Sequence, residues 1–563
     1  MEKNFLKKIS SNSLKFLLSV SLISALWMYL LYFGTTPLTW PAVDNLPAIC
    51  RLLDSTCLST DFFTNASSTV NPRFPFTYLL WIVTKFSANG LGGGLGVIKA
   101  FLLVLFPFLL TFTIAISIRV QSERYLKSSS TTREAVFLLA CIFAPIIIFL
   151  LQGRLGAVLS VAWWSPLYFE ATPHNLSITL TLLGFCVLFF EKHSIGFLLI
   201  FLGGIIHPAA CILTSIFAYI LHSKVYYAIK ENRSLLIFGL LPSLLSALCI
   251  KIIFDAGVGL SAQEFIKIYV IEAHPSHFLP TYFGSLSRFP WFISFFIVQS
   301  GLIITSFILY KLNCEAYKNS VAATVAYGVS VLAQYIFIEI WPVKLIAILG
   351  PSRFTLFGPW LLFIFFLLSI LIILSKLDFF KKIESVLFKT TIFNKYLIVS
   401  GGVFLVILAI LFASKPPNFD FIIEKDKPFF EFIKNTSGKA DVFILPVDDT
   451  RVFVPLITGR SVFFGNGFPF SEDFFDEYSK RKKLVSGDTA TIKDNAGSWI
   501  GEKQANYYQS LNPKNFVEIS KSYKINWVVI EQNHADSFKE CRPRFNSKKY
   551  KIFEIQALEE CTK

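Results

Sequence analysis

The sequence predicts a polytopic α-helical membrane protein, with about eleven membrane-crossing helices followed by a soluble α/β domain. Of its 563 residues, 54% are hydrophobic and only 16% are charged. The mean hydropathy is +0.59, and a soluble domain carries about 25% charged residues. Because a soluble chain this apolar could not cover its surface with polar groups, lipid must surround most of it.

Apolar stretches recur along the first 413 residues, and a span needs about 20 such residues. The candidate spans are 14–33, 95–118, 134–151, 174–190, 195–206, 208–221, 234–254, 289–310, 319–340, 355–376 and 396–413. Residues 195–221 are too long for one span and contain Gly203, Gly204 and Pro208. We therefore predict two short helices that meet at His207-Pro208.

The net charge of +15 lies mainly in short loops between the apolar stretches. Such loops face the cytoplasm under the positive-inside rule, so the charge does not indicate a nucleic-acid partner. With the amino terminus inside, the loops after the even-numbered spans should be inside, and they carry lysine and arginine. The segments 34–94, 152–173, 255–288 and 341–354 and the tail from Ser414 are then outside. As a full span, residues 76–90 would invert this pattern, so we predict a helix at the membrane interface there.

These expectations divide the chain into a transmembrane domain at 1–413 and an extracytoplasmic α/β domain at 414–563. The protein is thus predicted to be a multi-pass protein of the plasma (inner) membrane, with the carboxyl-terminal domain periplasmic or extracellular. Within this domain, the chain becomes polar after Pro417. Short β-rich runs are Asp441–Leu445, Ser461–Phe464, Trp527–Ile530 and Tyr550–Ile555, with helical pieces near 426–435 and 512–523.

Four of the nine cysteines fall on the outer side of the membrane on this path. An even number on the oxidising side suggests disulfides, most simply Cys50 with Cys57 and Cys541 with Cys561; the alternative is four free thiols. None of the cysteine spacings is typical of a zinc site. We therefore predict no cofactor, although a divalent metal without a clear motif stays open.

Ionisable side chains gather on the predicted outer face, where long loops offer room for binding groups. The first outer loop, 34–94, carries Asp44, Asp54, Asp61 and Arg73. The other polar groups on this face are Arg154, Glu170, His174, His207, His274, His277, Lys344 and Arg353. A buried ionisable group in a membrane span is a functional candidate, which singles out His207. The alternative for each residue is a solvated loop charge or a packed, hydrogen-bonded histidine.

These groups combine carboxylates with basic residues around one outward face. Transfer of a sugar from a phosphate needs a carboxylate to deprotonate the acceptor hydroxyl and cations to stabilise the departing phosphate. The guanidinium of Arg353, just before a span, suits phosphate binding. The cluster His274-Pro275-Ser276-His277 lies in a proline-containing loop, which favours anion or sugar contact over metal binding.

Short motifs extend this pattern along most of the chain. They are Asp44-Asn45-Leu46-Pro47, Asp61-Phe62-Phe63, Pro72-Arg73-Phe74, His207-Pro208, His274-Pro275-Ser276-His277, Arg353, and in the tail Phe429–Lys434 and Gly459-Arg460-Ser461. With the layout of many spans, a large first outer loop and an outer carboxyl-terminal domain, they resemble the GT-C class of integral membrane glycosyltransferases. The nearest resemblance is to bacterial multi-spanning proteins of that type.

The resemblance implies an inverting hexosyl or pentosyl transferase that takes a polyprenyl-phosphate-linked sugar as donor and binds membrane lipid. It implies Asp44 as the general base, with Asp61 second. The predicted substrate-binding residues are Arg73, Glu170, His174, His207, His274, His277 and Arg353. The sequence departs from the class in two respects, and the first is that the first loop lacks an adjacent pair of acidic residues. Trp163-Trp164 is followed by Ser165 rather than by aspartate, which argues against asparagine-linked transfer and an obligatory metal.

Two other classes stay open. A transporter or lipid flippase would show paired half-sequences and ionisable groups at mid-membrane, and the sequence has neither a repeat nor mid-membrane carboxylates. A non-catalytic protein of envelope polysaccharide assembly could share the same fold, because fold does not determine activity.

Overall fold

A computed structural model gives the fold. The residues that it describes are 11–32, 46–68, 74–87, 90–125, 130–152, 155, 159, 171–223, 233–254, 261–266, 270, 278–279, 291–376, 426–448, 450–465, 472–487 and 502–563. The chain forms two compact units. The first, the helical unit, comprises 1–36, 96–252 and 277–416, and the second, the sheet unit, comprises 37–95, 253–276 and 417–563.

The helical unit contains helices with the length and composition of membrane spans. Among the described residues, six helical segments qualify by these two properties: Ser13–Leu30, Gly96–Ser122, Arg233–Ile253, Trp291–Lys311, Tyr317–Ile340 and Lys344–Ser375. Four shorter apolar helices are Val136–Ile148, Pro173–Phe189, His193–Ile206 and Pro208–His222. Each of the ten overlaps a predicted span. The eleventh, 396–413, lies outside the described residues. The chain therefore has the helices of a membrane protein.

The helical unit consists of α-helices, with short π-helical and 3₁₀ segments between some of them. The helices are Ser11–Tyr32, Gly90–Tyr125, Ser130–Gln152, Pro173–Phe189, His193–Ile206, Pro208–His222, Leu241–Phe254, Trp291–Lys311, Tyr317–Gln334, Lys344–Leu349 and Gly358–Lys376. Single π-helical turns occupy Leu236–Leu240 and Tyr335–Ile340, and a 3₁₀ segment runs over Pro351–Phe357.

The break at His207-Pro208 is confirmed. His207 has extended dihedral angles, φ −155° and ψ 95°, and ends one helix while it begins the next. Pro208 follows at the first position of the new helix, where its missing N–H costs nothing. The sequence thereby places a histidine side chain at a helix junction inside an apolar part of the chain.

The sheet unit includes three helices from the first outer loop, Leu46–Leu53, Phe62–Ser68 and Phe74–Lys85. The last of these covers most of the predicted interfacial helix at 76–90. The remaining helical elements of this unit are Ala262–Phe265, Lys427–Thr436, Thr450–Thr458, Glu472–Ser486, Glu502–Ser510, Pro513–Tyr523, the 3₁₀ segment Gln532–Phe538, and Ile555–Cys561.

A five-stranded mixed sheet organises this unit. Its strands are β1 Val442–Ile444, β2 Ser461–Val462, β3 Trp527–Glu531, β4 Phe545–Asn546 and β5 Tyr550–Glu554, in the spatial order β2-β1-β3-β5-β4. Strands β2, β1 and β3 are parallel, whereas β5 and β4 add antiparallel. The four predicted β-rich runs each contain a strand; the two-residue β4 was not predicted.

Apolar side chains alternate between the two faces of β1 and β3. On one face Val528 and Ile530 join a core with Ile444, while on the other Trp527 and Val529 pack with residues such as Phe443. Central strands that are buried on both faces need such continuous apolar runs. Helices therefore pack against both faces of the sheet.

Both predicted disulfides are present in this unit. The S–S distance is 1.96 Å between Cys50 and Cys57 and 1.90 Å between Cys541 and Cys561. The first closes a turn in the outer loop, and the second ties the final helix to the segment after β3.

Candidate functional site

His207 stands at the centre of a polar cluster in the helical unit. Its Nδ1 accepts a hydrogen bond from the Ala210 N–H at 3.1 Å and so caps the helix that begins at Pro208. Ser177 Oγ donates to the His207 carbonyl at 3.1 Å, which fixes the same residue through its backbone. Since Nδ1 must be the acceptor, the neutral ring carries its proton on Nε2. His207 can therefore donate a hydrogen bond from Nε2.

His174 packs against this ring. It lies in the first turn of the Pro173–Phe189 helix, which Thr172 caps by accepting a 3.1 Å bond from the Asn175 N–H. The two imidazole rings meet edge to face with centroids 5.4 Å apart. His174 is buried, so two helix beginnings, each with its own cap, bring two histidines together.

Arg353 completes what we call the basic cluster: His174, His207 and Arg353. Arg353 is buried and lies in the 3₁₀ segment, which packs against the Pro208–His222 helix where the Phe357 and Phe217 rings stack 4.7 Å apart. Its guanidinium carbon lies 5.2 Å from the centre of the Phe278 ring. Gly350 before it is left-handed, at φ 58°, and an added Cβ there would lie 3.2 Å from Arg353 Nε. The glycine thus allows both the turn and the close approach of the guanidinium.

Gln334 braces this arrangement and was missed by sequence reasoning. Its Nε2 donates to the Phe278 carbonyl at 2.7 Å, and its Oε1 accepts from the Ser352 N–H at 3.2 Å. The side chain is fully buried. The only signal in the sequence is a lone glutamine inside the predicted span 319–340.

The chemistry of the basic cluster favours an anion. A guanidinium is always charged and offers paired donors, and imidazole adds a further donor in either protonation state. An anionic ligand placed beside these basic groups would interact favourably with them. A guanidinium can bind phosphate, like carboxylate, through two parallel hydrogen bonds.

Asp61, the second predicted general base, lies in the sheet unit in a different setting. It is 1% exposed. Its Oδ1 accepts from the Thr64 N–H at 2.7 Å, which caps the Phe62–Ser68 helix, and its Oδ2 accepts from the Val462 N–H of the edge strand β2 at 2.9 Å. Burial raises the pKa of Asp61, and the two backbone bonds together with nearby Arg481 partly offset this. Both oxygens thus serve the fold, which differs from the catalytic role that the sequence suggested.

The residues around Asp61 join the first outer loop to the sheet. Thr60 Oγ1 lies 2.7 Å from Ser461 Oγ, and Phe63 packs edge to face on Phe464 at 5.7 Å. Arg481 lies over the Phe62 ring at 4.5 Å. This contact set, which we call the loop clamp, covers the open edge of β2, and an open sheet edge is otherwise a pairing hazard.

Asp54 has the local role that its position suggests. Its Oδ1 accepts from the backbone N–H and the hydroxyl of Thr56 at 2.8 Å and 2.7 Å. These bonds, the hydroxyl first, lower the pKa of Asp54. A fully exposed turn carboxylate of this kind needs no substrate to explain it.

Of the predicted site residues, the structure brings together His174, His207 and Arg353. Asp61 lies in the sheet unit, and Asp44, Arg73, Glu170, His274 and His277 lie outside the described residues. Within the described part of the chain, no three histidine, cysteine, aspartate or glutamate side chains are grouped so that they could hold a metal ion.

Comparison with known proteins gives a partial likeness to solved structures. No family model matches the sequence, and no curated protein matches it. Among solved structures, one similar chain is the oligosaccharyltransferase of Archaeoglobus fulgidus, in a crystal structure with zinc and sulfate. The identity is 11% and the TM-score is 0.38, over 91% of this chain and 68% of that chain. At this level the activity of that enzyme does not transfer to this chain.

Proposed function

We propose that this protein is a membrane glycosyltransferase of the GT-C type, which moves a sugar from a polyprenyl-phosphate-linked donor to an acceptor outside the cytoplasm. The observation that carries the proposal is the convergence of Arg353, His174 and His207 in a unit built of membrane-length apolar helices. A lipid-linked phosphate combines an apolar tail with an anionic group. The apolar helices can bind the tail, and the basic cluster can bind the anionic group.

In this proposal the basic cluster binds the donor phosphate and stabilises the charge that develops as the glycosidic bond breaks. Asp44 is the general base that removes the proton from the acceptor hydroxyl. The sugar is transferred with inversion, and no metal is required. The membrane path has eleven spans, with the amino terminus inside and the carboxyl-terminal tail outside.

A deletion strain tests the proposed activity. We expect the strain to accumulate a lipid-linked sugar and to lose the corresponding sugar from an extracytoplasmic glycan, lipid or protein, as mass spectrometry of both fractions would detect. The wild-type gene should reverse both changes, while the Asp44→Asn gene should reverse neither although its protein is present in the membrane. The surface variant Arg544→Ala, which loses only an exposed ion pair to Glu554, should reverse both changes.

Two results would replace the proposal. If the donor accumulates on the cytoplasmic side alone, the protein is a flippase. If Asp44→Asn, Arg353→Ala and the double variant all restore the glycan fully, a non-catalytic assembly role is correct.

A further inference from the structure

We infer that Gln334 is the positioning residue for Arg353. Its buried side-chain amide makes two contacts that fix the position of the guanidinium, and the phosphate affinity of the site depends on these contacts. This inference rests on the proposed function, because it concerns the same anion site. Gln334 touches neither His174 nor His207 in the described contacts, so it acts through Arg353.

The first contact fixes the backbone beside Arg353. The Ser352 N–H donates to Gln334 Oε1 at 3.2 Å, and the Arg353 N–H donates to the Gly350 carbonyl at 3.0 Å. Two successive N–H groups of the 3₁₀ segment are thus held, the first by a side chain from another helix and the second by the carbonyl of Gly350 just before the segment. The start of the Arg353 side chain is therefore fixed relative to the Tyr317–Gln334 helix.

The second contact fixes the surface on which the guanidinium lies. Gln334 Nε2 donates to the Phe278 carbonyl at 2.7 Å, and the Phe278 ring is the one that lies 5.2 Å from the Arg353 guanidinium carbon. A carbonyl must accept and an N–H must donate, so only one orientation of the amide satisfies both contacts. Neither glutamate nor methionine can supply that donor and acceptor pair at neutral pH.

The position of Gln334 in its helix fits this role. It is the last α-helical residue before the π-helical turn Tyr335–Ile340. Such turns shift the register of the following residues and are frequent at functional sites. A displacement of about 1 Å in a binding group is enough to weaken a charged contact substantially.

The same helix offers a matched control at its other end. Asn319 is fully buried, and its Nδ2 donates to the Ile220 carbonyl at 2.7 Å and the Ser223 carbonyl at 2.8 Å. It is a buried amide that ties its helix to a neighbouring backbone, as Gln334 does, but its partners lie at the end of the Pro208–His222 helix. Asn319→Leu should therefore destabilise the protein without affecting the anion site.

The experiment measures binding of farnesyl phosphate, and of farnesol as its uncharged counterpart, to the purified full-length protein in lipid nanodiscs. We expect Gln334→Met to weaken farnesyl phosphate binding about tenfold while farnesol binding stays unchanged. Phe278→Leu, which keeps the carbonyl but removes the ring, should weaken it about threefold. Asn319→Leu should lower the unfolding temperature with both affinities unchanged.

A double-mutant cycle decides whether Gln334 acts through Arg353. Arg353→Ala with Gln334→Met should bind farnesyl phosphate no more weakly than Arg353→Ala alone, because the positioned group is already gone. Additive losses, or wild-type affinity in Gln334→Met, would overturn the inference and leave the anion site intact. A wild-type protein that binds farnesyl phosphate and farnesol equally would instead overturn the anion site, and the inference with it.

Discussion

The basic cluster of the helical unit and the loop clamp of the sheet unit both bury ionisable side chains, yet for different reasons. At the loop clamp, the partners of the Asp61 carboxylate are backbone N–H groups of Thr64 and Val462, so its charge is used within the fold. In the basic cluster, the neighbours of the buried His174 are the other basic side chains His207 and Arg353. Burial alone therefore does not identify a functional group; the character of its neighbours does.

The contrast also separates the two carboxylates that the sequence put forward as bases. A general base must reach a substrate hydroxyl, and both oxygens of Asp61 already accept backbone bonds. The chemical role thus stays with Asp44 as a prediction from the sequence. Substitutions in the two regions should therefore differ in whether they change activity and ligand binding or the stability of the fold.

Asp44→Asn should slow sugar transfer by about 10²- to 10⁴-fold while donor binding is retained, because amide nitrogen cannot remove the acceptor proton. Single-turnover kinetics with a lipid-linked donor measure the rate. Asp54→Asn is the control and should be close to wild type, since that carboxylate caps an exposed turn. Full activity in Asp44→Asn together with complete loss in Asp61→Asn would reverse the assignment.

Asp61→Ala should lower the free energy of unfolding of the sheet unit by about 2–4 kcal/mol, through the lost helix cap and an unsatisfied Val462 N–H. Chemical denaturation followed by limited proteolysis of the tail measures this loss. Asp54→Ala serves as the control and should change little. An Asp61→Ala protein as stable as wild type but inactive would show that Asp61 acts on the substrate.

His207 variants separate capping from ligand binding. His207→Ala loses both the Ala210 cap and the Nε2 donor, so it should lose about 1 kcal/mol of stability as well as phosphate affinity. His207→Asn restores a good capping residue without that donor, so it should recover the stability but not the affinity. Thermal unfolding and farnesyl phosphate binding give the two readouts. If His207→Asn recovered both the stability and the phosphate affinity, His207 would act only as a helix cap.

The smallest expected effect is the pH dependence of the stability of the sheet unit. His534 is buried among aromatic rings, and its Nε2 lies 2.6 Å from the Leu511 carbonyl. Burial lowers the pKa of His534 below its ordinary value of about 6.5, although the bond to Leu511 opposes this. Its folded form binds fewer protons than its unfolded form, so stability should be full above that value and fall as pH drops below it. His534→Gln should flatten this part of the stability profile.

Asp61 contributes to the pH profile with the opposite sign. Its raised pKa means that the folded state binds more protons than the unfolded state, so its contribution declines as pH rises from about 3.9 through the folded pKa. The two groups can therefore be told apart by the direction of the slope. A decline below pH 6.5 that survives in His534→Gln would assign the acid sensitivity to another group.

Features set by local sequence were predictable. Hydropathy located the ten apolar helices of the described residues, and Pro208 after a histidine located their sharpest break. Four strands followed from short β-rich runs, because β-branched and aromatic residues suit a pleated surface. The strand β4 has only two residues and pairs through its neighbour, so its own sequence carries little signal.

Features that depend on long-range contacts could not be predicted from the sequence. Asp61 bonds to Val462, which lies 401 positions along the chain, and Gln334 joins Phe278 to Ser352 across 56 and 18 positions. A single sequence shows the polar residue but not its partner, so Asp61 resembled a catalytic carboxylate and Gln334 drew no attention. His174, His207 and Arg353 were predicted as site residues because each is a basic group beside an apolar stretch, a signal that is visible in the local sequence.

The contrast between the two regions can be measured directly by titrating farnesyl phosphate and farnesol against wild-type, Arg353→Ala and Asp61→Ala proteins in nanodiscs. Wild type should prefer the phosphate, and Arg353→Ala should lose about 10- to 150-fold in phosphate affinity with farnesol binding and stability retained. Asp61→Ala, measured below its lowered unfolding temperature, should keep the preference. A preference that survives in Arg353→Ala but vanishes in Asp61→Ala would contradict the account.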